Sequence, residues 1–358
     1  MIVFGAPSRY IQGPASLSSI GNELVRFGRS AVLVIDAGVQ QKLLPAIQAS
    51  CDATGLSLKV LAFSGESSPE EIDNLERQLG ELRPDIVVAA GGGKCIDSGK
   101  ALSNRLGSCV ATVPTIASND SPTSHIYVLY DSDHRLLRVE ALPRNPDLVL
   151  VDTDVILKAP AVFLLAGIGD CVVKKFEVEA CFQATGRNVF GSKTSMAALS
   201  MARGAYEILR SDSVLALESV ARQRTGDAFE RVVEACVLLS GLSFENGGLS
   251  IAHAMTRGLS MVKPAADALH GLQVAYGVTV QLVLENRDDD FLADHASFYR
   301  EIGLPLTLER LGQKDPSAEL LHLIAEKTLA APHRANFPAA VSHQQMTSAM
   351  RRVEDLFR

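Results

Sequence analysis

Residues 85 to 100 read D-I-V-V-A-A-G-G-G-K-C-I-D-S-G-K, and this stretch decides the fold. Ile86, Val87, Val88, Ala89 and Ala90 form a continuous apolar run, the pattern of a strand buried on both faces. Gly91, Gly92 and Gly93 follow, and helical spacing starts near Lys94. Glycine lets the backbone turn sharply and approach another group with no Cβ in the way. The first N–H groups of the next helix have no internal partners, and its dipole turns a positive end toward the turn. Strand, glycine turn and helix start together predict an anion site suited to a phosphate or pyrophosphate. A tight βα turn with nothing bound would leave the same three glycines, so the rest of the chain has to decide.

Outward from this turn, Ala31 to Ile35 is a second short apolar run, closed by Asp36. In open α/β sheets ligands collect beyond the carboxyl ends of the strands. A carboxylate there can accept hydrogen bonds from both ribose hydroxyls of an adenosine and repels a 2′-phosphate, which favours NAD over NADP. An aspartate capping the next helix is the plainer reading of the same position. Leu58 to Phe63 predicts a strand and Ser68 to Leu82 a helix, opened by the cap sequence S-P-E-E. Cys109 to Val113 is the next strand and runs into P-T-I-A-S-N-D-S-P-T-S, a loop rich in small hydroxyls. Ile126 to Tyr130 and Leu136 to Leu142 predict a hairpin around Asp131 to His134, and Asp147 to Val151 a final strand. Strands alternating with helices imply a mostly parallel, doubly wound sheet.

Composition narrows the function classes. The 358 residues exceed one ordinary core, so two domains are expected. The 34 basic and 41 acidic residues give −7, which argues against a nucleic-acid partner. No apolar run has membrane-spanning length, and Met1 to Arg9 has no signal-like apolar region. Six cysteines without C-x-x-C spacing read as reduced thiols of a cytoplasmic protein.

Beyond about residue 155 the texture becomes helical, predicting an α/β domain over 1–155 and an all-helical domain over 156–358. Asp227 to Leu239 places Phe229, Val232, Val233 and Val237 on one face, and Gly271 to Glu285 is a further helix. A cleft between the two halves is the default place for a small-molecule site. Three short signals stand out here. A-G-I-G-D ends in Asp170 at or just inside a helix start, G-G-L-S-I-A-H-A carries His253 on a helix opened by Gly247 and Gly248, and A-L-H-G places His270 before another helix. One carboxylate and two imidazoles from three helices make a divalent-metal site that leaves a position for water or substrate. Spacing alone leaves the plainer readings open, a capping aspartate and two hydrogen-bonded core histidines.

Taken together these stretches resemble the glycerol dehydrogenase branch of the iron-containing (group III) alcohol dehydrogenases. The matching segments run in order over nearly the whole chain, from Y-I-Q-G-P and G-G-G-K-C-I-D-S-G-K-A through V-P-T-I-A-S-N-D-S-P-T-S and L-L-A-G-I-G-D to the two histidine blocks. The resemblance implies a dinucleotide-binding domain, a helical metal-binding domain and reversible NAD-linked oxidation of a small polyol. It places Asp36 at the adenosine ribose, and Gly92, Gly93, Lys94 and Asp97 in the pyrophosphate turn. Thr115, Ser118, Ser124, Ile126 and Tyr130 match cofactor contacts, and Asp120 an acid that meets substrate. Asp170, His253 and His270 match the ligands of one divalent metal, zinc in this branch with iron or manganese as alternatives. The family further implies a homo-oligomer.

The chain also departs from the family. A position that holds a further histidine in iron-dependent relatives, four residues after the ligand aspartate, is Lys174. The usual H-A-I-H-N-G is H-A-M-T-R-G, with Thr256 and Arg257, and H-G-E-K is H-G-L-Q, with Leu272 and Gln273. Arg257 could meet an acidic group, which keeps a 2-hydroxycarboxylate dehydrogenase acting on α-keto acids as an alternative. A lyase of the dehydroquinate-synthase kind shares the architecture, but no cluster of basic residues for a substrate phosphate stands in the helical half near the ligands.

Overall fold

In the computed structural model, which describes residues 1–131 and 135–358, Ile86–Gly91 is a strand with every residue buried. It lies inside a six-stranded parallel sheet of order β1-β8-β5-β4-β2-β3. The strands are β1 (Tyr10–Gly13), β2 (Ser30–Asp36), β3 (Ser57–Phe63), β4 (Ile86–Gly91), β5 (Cys109–Pro114) and β8 (Leu148–Asp152). Successive side chains leave a strand on opposite faces. Leu33, Ile35, Val88 and Ala90 accordingly join one core layer, and Val32, Val34 and Val87 the other. Helices cover these layers: α1 (Ile20–Leu24), α2 (Ala37–Ala53), α3 (Pro69–Leu79), α4 (Gly93–Leu106) and the short α5 (Thr153–Leu157). A separate antiparallel pair joins β6 (Ile126–Tyr130) to β7 (Leu136–Ala141). Residues 132–134 of the expected hairpin turn lie outside the described residues.

Two compact units divide the chain. One comprises Gly5–Pro160 with Arg222–Thr225, and the other Met1–Phe4, Ala161–Ala221 and Gly226–Arg358. The described regular elements of the second are helical: α6 (Ala161–Gln183), α7 (Met196–Arg222), α8 (Asp227–Glu234), α9 (Ser240–Gly247), α10 (Ile251–Leu259), α11 (His270–Leu284), α12 (Asp289–Ile302), α13 (Ala318–Leu329) and α14 (His343–Phe357), with short 3₁₀ turns. Among the described residues no single helix is long and apolar enough to cross a membrane.

Several local expectations need correction. Strand β1 was not anticipated; it is a four-residue, half-buried edge strand, too short to show a periodicity of its own. Asp170 is not at a helix start: it lies in the interior of the 23-residue α6, where Gly169 of A-G-I-G-D packs against the Gly271 carbonyl of α11 and does not break the helix. Gly247 and Gly248 do not open the helix of His253. They close α9, with Gly248 at φ 105°, and α10 begins after Ser250. The periodic run 227–239 is α8 continued by a π-helical segment, Ala235–Leu239, with Phe229, Val232, Val233 and Val237 buried as expected.

Candidate functional site

In the helical unit Asp170, His253 and His270 come from α6, α10 and the first residue of α11. One donor atom from each lies within 4.8 Å of the other two. Asp170 Oδ1 is 3.3 Å from His253 Nε2 and 4.0 Å from His270 Nε2. The residues are 17 and 83 positions apart, 270 − 253 and 253 − 170, so tertiary packing alone unites them. Helix α11 makes that packing possible. A Cβ on Gly271 would stand 1.8 Å from the carbonyl oxygen of Ala166 in α6, and one on Gly277 2.6 Å from that of Ala252 in α10. Only glycine permits such backbone contact on both flanks of one helix.

A carboxylate behind the cluster orients it. Glu177 follows Asp170 by seven residues, two turns along the same face of α6. Its Oε2 meets His253 Nδ1 at 2.5 Å, while Oε1 accepts from the backbone N–H of Ser250 at 2.8 Å and of His253 at 2.9 Å. The same carboxylate thus satisfies orphan donors at the start of α10 and fixes the imidazole ring. Lys174, one turn after Asp170, places Nζ 2.8 Å from Asp170 Oδ1 and 3.1 Å from His253 Nε2, 5.3 Å from the centre of the Phe244 ring. An ammonium group only donates. The contact with Lys174 is a hydrogen bond in the tautomer whose Nδ1 carries the proton toward Glu177 and whose Nε2 lone pair faces the cluster.

Burial opposes ionisation of Asp170, but Lys174 and the two histidines hold its carboxyl far below the usual range. Burial likewise opposes ionisation of Glu177, and His253 with Lys174 reverses that and lowers it. Burial pushes His253 down most strongly of any single influence, but the charge of Glu177 and the hydrogen bonds to Asp170 and Glu177 together turn the net shift upward. Desolvation lowers His270 to about 4, an effect tempered by a side chain 47% exposed.

This donor set fits a divalent ion. One carboxylate oxygen and two imidazole nitrogens are a three-ligand catalytic set, and an imidazole braced by a carboxylate is how metal-bound histidines are held. Bonds of about 2.0–2.2 Å at tetrahedral angles separate donors by about 3.4 Å. The Asp170–His253 gap of 3.3 Å already matches, and His270 Nε2 stands farther out, at 4.0 Å from Asp170 Oδ1.

In the sheet unit, β2 continues to β3 on one side, while β4 pairs on its other side and leads on to β5. The strand order reverses between β2 and β4, the kind of crevice where nucleotides bind. Asp36 ends β2 and Gly91 ends β4, with Ile35 paired to Ala90. Gly92 caps α4 and Gly93 is its first residue. Helix α4 packs directly on the strand, since a Cβ on Gly99 would lie 2.4 Å from that of Ala89.

The other expected cofactor residues also lie in this unit, each with local work. Asp36 Oδ1 accepts the N–H of Gly38 at 2.8 Å, so the plainer capping reading holds for that oxygen. Lys94 pairs with Glu66 at 2.7 Å and lies 5.2 Å from the centre of the Tyr130 ring. Asp97 is buried and accepts from Ser121 Oγ at 2.6 Å and the Val128 N–H at 3.1 Å; burial raises its pKa. Thr115 N–H reaches the Gly91 carbonyl at 3.1 Å, Ser118 is buried in the loop, and Ile126 opens β6. Burial lifts the Tyr130 phenol. Asp120 is half-buried in the hydroxyl-rich loop, where its carbonyl accepts from Thr123 N–H at 3.2 Å.

Four residues escaped the sequence reading or were named without a role. The i+4 and i+7 spacings of Lys174 and Glu177 from Asp170 were a usable signal once Asp170 was placed mid-helix. Lys100 is buried, and its Nζ meets the Ser121 carbonyl at 2.5 Å, the Ile126 carbonyl at 2.9 Å and Ser124 Oγ at 3.3 Å, tying the V-P-T-I-A-S loop to α4. His333, on the turn Pro332–Asn336, is lowered to about 4 by burial and by His253; nothing in its local sequence announces it.

The model for iron-containing alcohol dehydrogenases matches residues 7–153. The chain is 43% identical to the glycerol dehydrogenase of Thermotoga maritima over 321 residues, 90% of this chain and 88% of that one. It is 38% identical to a glycolaldehyde reductase of Halobacterium salinarum, over 90% and 89% of the two chains. The crystal structure of glycerol dehydrogenase from Schizosaccharomyces pombe superposes with a TM-score of 0.95 at 33% identity, covering 99% of this chain and 91% of that one.

Proposed function

The chain belongs to the iron-containing alcohol dehydrogenase family, on its glycerol dehydrogenase branch, and works as an NAD-dependent alcohol dehydrogenase; we propose that it interconverts glycerol and dihydroxyacetone, using a divalent cation held by Asp170, His253 and His270. The observation that carries this reading is the approach of those three donors to within 4.8 Å, with His253 braced by Glu177. When bound, the cation supplies Lewis-acid polarisation of the alcohol oxygen and NAD accepts the hydride. Asp170 contributes the charge, and the two imidazoles contribute lone pairs. Glu177 holds the tautomer that leaves His253 Nε2 available. Zinc suits this mixed oxygen and nitrogen set, and iron and manganese are the competitors.

The N–H groups at the start of α4 receive the pyrophosphate, and Asp36 Oδ2 receives the ribose hydroxyls. The positions Gly92, Gly93, Lys94, Asp97, Thr115, Ser118, Ser124, Ile126 and Tyr130 support a cofactor lying along the carboxyl edge of the sheet. Asp120 orients a neighbouring hydroxyl of the diol or takes part in moving its proton. The name of the Halobacterium relative suggests a shorter member of the same substrate class, in which ethylene glycol and glycolaldehyde replace glycerol and dihydroxyacetone.

The test is NADH consumption with dihydroxyacetone, glycolaldehyde and a panel of 2-keto acids, after EDTA treatment and after add-back of zinc, manganese or iron. Activity on dihydroxyacetone or glycolaldehyde that EDTA removes and one of these ions restores is expected. Preference for keto acids would transfer the assignment to a hydroxycarboxylate dehydrogenase, with the exposed Arg257 one turn beyond His253 as the carboxylate partner. Activity indifferent to EDTA and metal would end the cation assignment.

A further inference from the structure

The donor set of Asp170 and His253 faces a positive charge that the chain itself provides. Lys174 is 1% exposed in its side chain, and its Nζ lies within hydrogen-bond distance of both Asp170 Oδ1 and His253 Nε2. These are two of the three atoms that a divalent ion would use. An ammonium on such contacts and a doubly charged ion at about 2 Å from the same atoms cannot coexist, because space and like charge both forbid it. A lone pair accepting from Nζ is also not available to a metal.

We propose that Lys174 is an internal cation that occupies the donor set of Asp170 and His253 and has to withdraw from His253 before a divalent ion can bind, so that this lysine sets the site's affinity for the ion. The inference rests on the cation-site reading above and adds a competitor built into the chain. In the ion-free protein Lys174 keeps a buried carboxylate paired and the His253 lone pair directed inward, so the site is held ready without metal. The cost is weaker retention of the ion, since every binding event displaces a charge-assisted hydrogen bond. A chelator should therefore strip this site more easily than one in which the position after one helical turn is uncharged.

The experiment measures Zn²⁺ and Mn²⁺ dissociation constants on the full chain, by calorimetry and by competition with a chromophoric chelator, for the wild type and for Lys174→Met. Methionine keeps the length and removes the charge. Lys174→Met is expected to bind about tenfold more tightly, because the ion no longer has to displace a charge-assisted hydrogen bond. Equal or weaker affinity in a variant with native circular dichroism would overturn the proposal while leaving the cation site standing. Failure of both chains to bind would overturn the cation site as well. A second measurement needs no variant: a crystal structure of the Zn²⁺-loaded wild type. Nζ beyond hydrogen-bond distance of His253 Nε2 is expected, and Nζ still near 3.1 Å would overturn the proposal.

Discussion

In the sheet unit the groups we propose for a ligand are backbone N–H groups at the start of α4, whereas in the helical unit they are side chains from α6, α10 and α11. The first set is contiguous in the chain. Strand, turn and helix start fall within residues 85–100, and each step follows from local propensity. The second set is scattered over a hundred residues, and its convergence depends on how helices pack. Its chemistry is also more exposed to single substitutions, because one side chain is one ligand. A backbone site degrades gradually; a side-chain site fails at once.

The sharpest break would come at Asp170. Asp170→Ala removes the only carboxylate of the triad and a counter-charge of buried Lys174. Loss of ion binding in calorimetry and a fall in kcat/KM of about 10³-fold or more are expected, since the ion is worth several kcal/mol in the transition state. Uncovering the buried lysine should also cost about 3–5 kcal/mol of stability, read as a lower denaturation midpoint. Wild-type activity in this variant would remove the helical unit from the chemistry.

Next in size is Glu177→Gln, which keeps the shape but not the charge behind His253. Ion affinity is expected to fall about 10–100-fold. The pH dependence of the effect has a definite sign. The folded pKa of Glu177 lies below its ordinary 4.5. Its contribution to stability is therefore present above that value and is lost as pH falls through the folded pKa. The difference in Tm between wild type and variant should be largest at neutral pH and shrink in acid. A difference that grows in acid would contradict the assigned charge state.

The sheet unit should answer more gently. Gly99→Ala brings a methyl to 2.4 Å from Ala89 Cβ and forces α4 off β4. A loss of about 2 kcal/mol in denaturant unfolding is expected, with NAD binding following the displaced helix start. The smallest effect belongs to Asp36→Ser. Serine also caps helices, so α2 should lose only a few tenths of a kcal/mol, while the preference for NAD over NADP should drop about tenfold, one hydrogen bond's worth. Equal changes for the two cofactors would remove Asp36 from the ribose.

What could be read in the sequence follows the same division. The buried run of β4, the caps at Ser68 and the hydrophobic face around Phe229 are local patterns, and each appears where expected. Residue types at 170, 253 and 270 were legible as donors, but spacing could not say that they meet. The glycines misled where their purpose is tertiary. Gly167 and Gly169 looked like a helix boundary before Asp170, yet they lie inside α6, and Gly169 faces α11. Strand β1 and the hold of Lys100 on a loop more than 20 residues away depend on partners that no window of the chain contains.

Helix α11 touches α6 and α10 backbone to backbone, at Gly271 and Gly277. Such a joint has no slack. The width of the gap between donors is fixed by main-chain atoms that every sequence shares, so drift in the surrounding side chains cannot widen it. A descendant of this chain could trade one donor for another and change which metal, or which alcohol, it prefers. A methyl group at 271 would instead force the frame apart and spoil the fit for every ion alike.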